Sequence, residues 1–348
     1  MIKLNELKQI LNQKKVLVFT NKNSFSLYKN YFESEFNASI TYYKDFQLNP
    51  KLSDVIECFK KININDFDAI IGIGGGSPMD FSKAVTYFSH FEISEYNDFL
   101  KHLKSPKQFE SNLPLYLIPT TSGSGSEGNR FSVIYDEAEK YSLVSSAIYP
   151  KNIVLDSKFV EFLPKRVTAY TAIDAITHAL ESFWANGSTI DSQKISLKAL
   201  NILVPNIKEV VHNPTAELRE KIMFGAYLAG KAIDTAMTTA PHAFSYYLTT
   251  EHGIPHGQAV AINLGYFIEI NGTARDLTPI HEVFQVKTDN ELKLAWFKLL
   301  KDIEIYENPL DIVDDTQAFF DAVNSERLGN NPYPLKKSEF EKLFTGDN

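Results

Sequence analysis

The stretch DAIIGIGGGSPMDFSK, residues 68–83, decides the fold. After Asp68 it runs apolar to Ile73, with isoleucines at 70, 71 and 73, over the length of one buried strand, and a helical pattern begins near Asp80. Gly74, Gly75 and Gly76 lie between, followed by Ser77 and Pro78. Proline suits a first helical turn, where its missing N–H is no loss, and Ser77 or Asp80 can cap the helix. A glycine turn between strand and helix lets backbone N–H groups reach a phosphate at the helix N-terminus. The same residues also suit a tight turn that binds nothing.

Working outward, short β-rich runs alternate with helical ones through about residue 155: VLVFT (16–20), SITYY (39–43), LPLYLIPT (113–120) and KNIVLD (151–156). That alternation predicts a mainly parallel sheet covered by helices. FSVIYDEAEKYSLVSS (131–146) reads as a β-hairpin at the edge of that sheet. The polar loop PTTSGSGSE (119–127) follows a strand, so it emerges at the same carboxyl edge as the glycine turn. Ligands of open α/β sheets bind at that edge, and two such loops together favour a dinucleotide.

After Leu163-Pro164 the texture changes to long runs with apolar residues at three- and four-residue spacing, as in RVTAYTAIDAITHALESFW (166–184) and SQKISLKALNILVPNIKEVV (192–211). The predicted organisation is an α/β domain over 1–160 and an all-helical domain over 161–348, with the last ten residues frayed. A net charge of −8 and a pI near 5.6 argue against nucleic acid or an anionic membrane as partner. The opening MIKLNELKQILNQKKVLVFT reads as an amphipathic helix leading into a strand and not as a signal peptide, and no run is long enough to span a membrane. The lone Cys58 cannot form an internal disulfide, which fits a cytoplasmic location, and reads as core filling.

Asp174 and His178 lie four residues apart in the helical run TAIDAITHALESFW (171–184), so both side chains project from one helix face. Two more histidines, His242 and His256, follow in PHAFSYYLTTEHGIPHG (241–257). An Asp-x-x-x-His pair is often an ordinary polar pair, but this one is flanked by Ile173, Ala175, Ile176, Ala179 and Leu180. A carboxylate buried there needs a compensating charge, which a metal ion supplies. One oxygen and three nitrogens suit iron(II), zinc, nickel or cobalt better than calcium or magnesium.

The order of these elements resembles the iron-containing alcohol dehydrogenase family, whose members carry GGGS-x-x-D-x-x-K, then PTT-x-G-x-x-S-E, then D-x-x-x-H ahead of two more histidines. All recur here in order, at Gly74–Lys83, Pro119–Glu127, Asp174/His178, His242 and His256-Gly257, with a late Asn331-Pro332 and Leu343-Phe344. The resemblance implies a Rossmann-like α/β N-terminal domain and an all-α C-terminal domain, the two-domain architecture of dehydroquinate synthase. It implies hydride transfer between a primary alcohol and an aldehyde, with nicotinamide and metal meeting in the cleft between the domains. By this likeness Asp174, His178, His242 and His256 hold Fe(2+) or Zn(2+), while Gly75, Gly76, Ser77, Asp80, Thr120, Thr121, Ser124 and Lys140 contact NADP(H) or NAD(H). A homodimer or larger homo-oligomer is the expected assembly.

The chain departs from the family pattern at several positions. Tyr246 stands where many members carry a histidine ten residues before the last ligand; its hydroxyl can relay a proton, and core packing is the alternative. His252 competes with His256 as fourth ligand, and the Pro-His-Gly match at 255–257 favours His256. Asn21 ends the first strand where NAD-preferring members place an aspartate, so the barrier to a 2′-phosphate is missing and NADP(H) is tolerated. The segment Thr238–Ala243 with Tyr246 looks like the phosphonoacetaldehyde reductase branch, for which Arg130 and Lys231 are candidate anion partners or ordinary surface charges. The rival activity is a metal- and NAD-dependent cyclase or lyase of the dehydroquinate synthase type.

Overall fold

The computed structural model describes residues 1–137, 139–323 and 325–345. Its strands are β1 (Lys15–Thr20), β2 (Ser39–Tyr43), β3 (Ala69–Gly74), β4 (Leu115–Pro119), β5 (Phe131–Asp136), β6 (Glu139–Val144) and β7 (Asn152–Ile153). Five of them form a parallel sheet in the order β2-β1-β3-β4-β7. The central β1, β3 and β4 are buried along nearly their whole length, which is why they read as unbroken apolar runs, whereas the edge strand β2 alternates. The order reverses beside β1, and pairing of Thr20 with Ile73 and of Gly74 with Pro119 brings the carboxyl ends of β1, β3 and β4 level. That alignment sets Asn21, the glycine turn and Thr120 along one rim.

The helices of this part are α1 (Leu4–Ile10), α2 (Lys22–Glu35), α3 (Leu52–Lys61), α4 (Gly76–Phe88) and α5 (Tyr96–Lys104). Helix α4 starts at Gly76, earlier than the pattern near Asp80, because Gly76, Ser77 and Pro78 accept helical geometry without adding apolar periodicity. The hairpin was expected at the edge of the sheet; instead β5 and β6 form a separate two-stranded sheet. Its anchor is α4, where Ser132 Oγ donates to the Asp80 carbonyl (2.7 Å) and Val133 N to the Asp80 carboxylate (3.2 Å). Cys58 is buried and unpaired, and burial pushes its thiol up to about 12.

The chain divides into two compact units, 1–121 with 126–161, and 122–125 with 162–348. The second unit consists of α6 (Lys165–Trp184), α7 (Ile190–His212), α8 (Ala216–Ala236), α9 (Ala240–Thr250), α10 (His256–Gly272), α11 (Thr278–Phe284), α12 (Asp289–Asp302), α13 (Pro309–Ile312), α14 (Thr316–Asp321), α15 (Ser325–Gly329) and α16 (Phe340–Thr345). Helix α6 is its axis, buried continuously from Ala172 to Trp184 and packed by α7, α8 and α10. Any polar side chain on that stretch is therefore cut off from water. The expected fraying of the last ten residues is not seen up to Thr345, because Phe340 and Phe344 of α16 are buried against Phe244 and its neighbours; residues 346–348 lie outside the described ones. Among the described residues no helix is long and apolar enough to cross a membrane.

Candidate metal centre and nucleotide loops

Three helices of the second unit bring the predicted ligands together. Asp174 and His178 project from α6, His242 sits in the first turn of α9 behind Pro241, and His256 opens α10. Gly253 at φ +65° and Pro255 at the cap of α10 break the chain between the last two, so they sit on separate helices. Gly257 makes the meeting possible: a Cβ there would lie 2.0 Å from the Tyr170 carbonyl oxygen and 2.7 Å from Asp174 Cβ. Only a glycine lets α10 start directly on α6.

The ligand atoms of Asp174, His242 and His256 all lie within 4.8 Å of one another. His178 Nε2 is 3.2 Å from His242 Nε2 and 4.0 Å from an Asp174 oxygen. Asp174, His178 and His242 are buried, yet Asp174 Oδ1 and His178 Nδ1 have no hydrogen-bond partner. A buried carboxylate oxygen left without a hydrogen bond is unfavourable unless a cation accepts it, and the two facing Nε2 atoms, which can share a proton in its absence, are placed to bind the same ion. The donor set therefore fits a borderline divalent ion.

A residue that sequence reading missed completes the arrangement. Glu181, fully buried on α6, accepts a hydrogen bond from His242 Nδ1 at one oxygen and from Thr239 N (2.8 Å) and Thr239 Oγ1 (2.9 Å) at the other. Keeping the proton on Nδ1 leaves Nε2 of His242 as the free donor atom, the usual carboxylate–histidine–metal relation. Burial pushes the Glu181 carboxyl up to about 7, opposed by the Thr239 bonds. The signal was available: a glutamate three residues after His178 inside the apolar run HALESFW. Tyr246 lies one turn beyond His242 on α9 and is half-buried. His252 stands apart from the ligand cluster, against the Tyr247 ring at 5.4 Å.

In the first unit, Gly74 has φ +154°, and a Cβ there would strike the Pro78 ring at 2.4 Å. Gly75 faces Thr121 closely enough that a Cβ would meet its Oγ1 at 3.3 Å, and Thr120 N donates to the Gly74 carbonyl at 2.8 Å. The two predicted loops thus lie side by side with Gly75, Gly76, Ser77 and Thr121 half-exposed. Asp80 accepts from Ser126 Oγ (2.7 Å) and, with Val133 N, has both carboxylate oxygens engaged. The Lys83 ammonium, fully buried, has five oxygens of Ser126, Asn129 and Phe131 within 2.5–3.1 Å to share its three N–H donors and so ties the second loop to α4. Asn21 caps α2 by accepting from Ser24 N (2.8 Å), and Lys140 is exposed on β6 opposite Tyr135.

Ser124 belongs to the short segment 122–125 of the second unit. Its neighbours Gly123 and Gly125 press on the Thr171 backbone of α6 and on Gly230 of α8, where a Cβ on Gly230 would lie 2.0 Å from the Gly125 carbonyl oxygen. Arg130 is half-buried in the first unit; Lys231 is half-buried on α8, with its ammonium 5.8 Å from the Tyr227 ring centre.

Glu127 supplies a pH test of the loop. Burial raises its carboxyl from the ordinary 4.5 to about 7. Between those values the folded chain keeps a proton that the unfolded chain releases, so its contribution to stability falls as pH rises and is flat above about 7. At about 1.4 kcal/mol per pH unit, Glu127→Gln is expected to gain roughly 3 kcal/mol near pH 8 and almost nothing near pH 4.5. Urea denaturation of both proteins across that range checks it; a gain independent of pH would sink the argument.

Comparison with known proteins places this geometry. The sequence profile of iron-containing alcohol dehydrogenase matches residues 2–157, and that of the C-terminal part of the Fe-containing alcohol dehydrogenase family matches 168–345. A sulfoacetaldehyde reductase of Bilophila wadsworthia is 32% identical over 232 residues, 66% of this chain and 59% of that protein, so the chain spans about three fifths of that relative's length. An NADPH-dependent butanol dehydrogenase of Clostridium saccharobutylicum is 28% identical over 300 residues, 80% of this chain and 76% of that one. Among solved structures, a sulfoacetaldehyde reductase of Bifidobacterium kashiwanohense in complex with NAD+ superposes with a TM-score of 0.88 at 26% identity, covering 99% of this chain and 95% of that one.

Proposed function

Because the chain belongs to the iron-containing alcohol dehydrogenase family, we propose that it is a metal-dependent, NAD(P)(H)-linked aldehyde reductase whose substrate carries a small tetrahedral oxyanion. The observation that carries the reaction class is the convergence of Asp174, His242 and His256 within 4.8 Å, with a buried Asp174 carboxylate oxygen that makes no hydrogen bond. Iron(II) or zinc bound there supplies Lewis-acid polarisation of a carbonyl oxygen. Asp174, His178, His242 and His256 hold the ion, Glu181 keeps the proton on His242 Nδ1, and the Tyr246 hydroxyl relays a proton to or from the reacting oxygen.

Gly75, Gly76, Ser77, Asp80, Thr120, Thr121, Ser124 and Lys140 are the proposed cofactor contacts. The rim formed by the ends of β1, β3 and β4 supports the first six. With the neutral Asn21 engaged as a cap, no carboxylate side chain ends β1, which supports acceptance of both NADP(H) and NAD(H). The anionic substrate is supported by two sulfoacetaldehyde reductases among the similar proteins and by Arg130 and Lys231 as candidate cations. Sulfonate and phosphonate present the same tetrahedral oxygens, so sulfoacetaldehyde and phosphonoacetaldehyde are the two aldehydes of choice.

The test is NADPH and NADH oxidation by anaerobically iron- or zinc-loaded protein with sulfoacetaldehyde, phosphonoacetaldehyde and butyraldehyde, using His256→Ala as control. Metal-dependent oxidation of an anionic aldehyde, lost in the variant, is the expected result. Preference for butyraldehyde overturns the substrate class. Bound metal with no net NADPH consumption on any aldehyde favours the cyclase, which returns its hydride within each cycle.

A further inference from the structure

The hydrogen bonds of the late segment Asn330-Asn331 reach α10 and the connections that leave α6 and lead into α9, the three helices that carry the ligands. Asn330 Nδ2 donates to the carbonyls of Ala236 (2.8 Å) and Thr238 (3.0 Å), on either side of Met237. Asn330 Oδ1 accepts from Gly187 N (3.0 Å), and its carbonyl accepts from Asn186 N (2.9 Å), just past the end of α6. Asn331, buried, forms a reciprocal amide pair with Asn271 near the end of α10 (2.7 and 3.2 Å), and its carbonyl accepts from Asn186 Nδ2 (2.9 Å). Two adjacent residues thus join the ends of α6 and α10 to the corner that starts α9.

That corner is strained. Met237 has φ 61° and ψ 176°, a backbone region that is almost exclusively glycine's. The two bonds from Asn330 bracket it, and two residues on, Thr239 delivers its N–H and hydroxyl to Glu181, the carboxylate that orients His242. The chain of contact runs Asn330, Met237 corner, Thr239, Glu181, His242. Trp184 Nε1, which donates to Thr239 Oγ1 (3.1 Å), ties the same corner back to α6.

We propose that Asn330 is a positioning residue of the metal centre, holding Met237 in its strained conformation so that Glu181 and His242 meet on α6, while its neighbour Asn331 anchors the segment to α10; the inference rests on the metal-dependent reading above. Without the bracket the corner relaxes, Thr239 withdraws from Glu181, and His242 loses its fixed ring orientation. A glycine at Met237 adopts the same dihedrals without strain and makes the bracket dispensable.

The test is Co(2+) titration of the metal-free full chain, read by the visible ligand-field bands, in wild type, Asn330→Ala, Met237→Gly and the double variant, with NADPH binding as a control. Expected are an affinity about tenfold lower and altered bands in Asn330→Ala, near wild-type behaviour in Met237→Gly, and recovery in the double variant, with NADPH binding unchanged throughout. Wild-type affinity and bands in Asn330→Ala overturn the inference, as does an additive loss in the double variant. If Asn330→Ala fails to fold, repair by Met237→Gly supports the proposal, and failure to repair assigns the pair a merely structural role. Absence of Co(2+) binding by the wild type overturns the metal-dependent reading itself, and this inference with it.

Discussion

Asp174→Asn is expected to weaken divalent-metal binding by more than about a hundredfold while making the metal-free protein more stable. The two effects have one cause. Asp174 Oδ1 is buried without a hydrogen bond, so a carboxylate there is costly in the metal-free chain, and in the proposed metal centre the same group is a ligand of the ion. The amide keeps the shape and loses the charge. Removing even an outer partner of a metal ligand typically costs 10–100-fold in affinity, so removing the carboxylate itself exceeds that range. Removing the buried charge is worth about 1–3 kcal/mol, or several degrees in the Tm of the metal-free chain. Calorimetry on wild type and variant, each with and without zinc, reads both quantities. An aspartate that served only the fold would lower stability in both states, and that outcome removes Asp174 from the metal centre.

Glu181→Gln carries the second large effect. Its amide oxygen can still accept from Thr239, so the α9 corner is retained, but the amide nitrogen now faces His242 Nδ1. Facing a donor, Nδ1 gives up its hydrogen and Nε2 takes it, which turns an N–H toward the ion. The expected loss is about 10–100-fold in metal affinity with the fold preserved. The tautomer of His242, read from its ring nitrogen shifts in NMR, separates this cause from general loosening. Unchanged affinity with a switched tautomer would mean that His242 is not a ligand.

How much of this was legible depended on the range of the interaction behind each feature. Residues 68–83 announce strand, turn and helix because the relevant physics is local: β-branched residues in a two-sided core, glycine where φ or close approach demands it, proline in a first helical turn. The pair Asp174 and His178 was legible for the same reason, since helical periodicity alone puts them on one face. The hairpin was legible as a hairpin but not in its location, because leaving the main sheet for α4 is settled by Asp80, more than fifty residues away from Ser132 and Val133.

From the sequence alone followed the α/β and all-α halves, the two loops at one rim of the sheet, and the residue types suited to a borderline metal. Tertiary structure decided what those residues meet. Gly257 reads as one more glycine until α10 is seen seated on the backbone of α6. Glu181 reads as an ordinary helix residue until Thr239 and His242 arrive from about sixty residues away, and Asn330 becomes meaningful only when Met237, more than ninety residues earlier, is seen bracketed by its two hydrogen bonds. Local pattern is written in spacing along one chain; a buried polar contact between distant segments has no periodicity, and it exists only once desolvation obliges each group to find a partner.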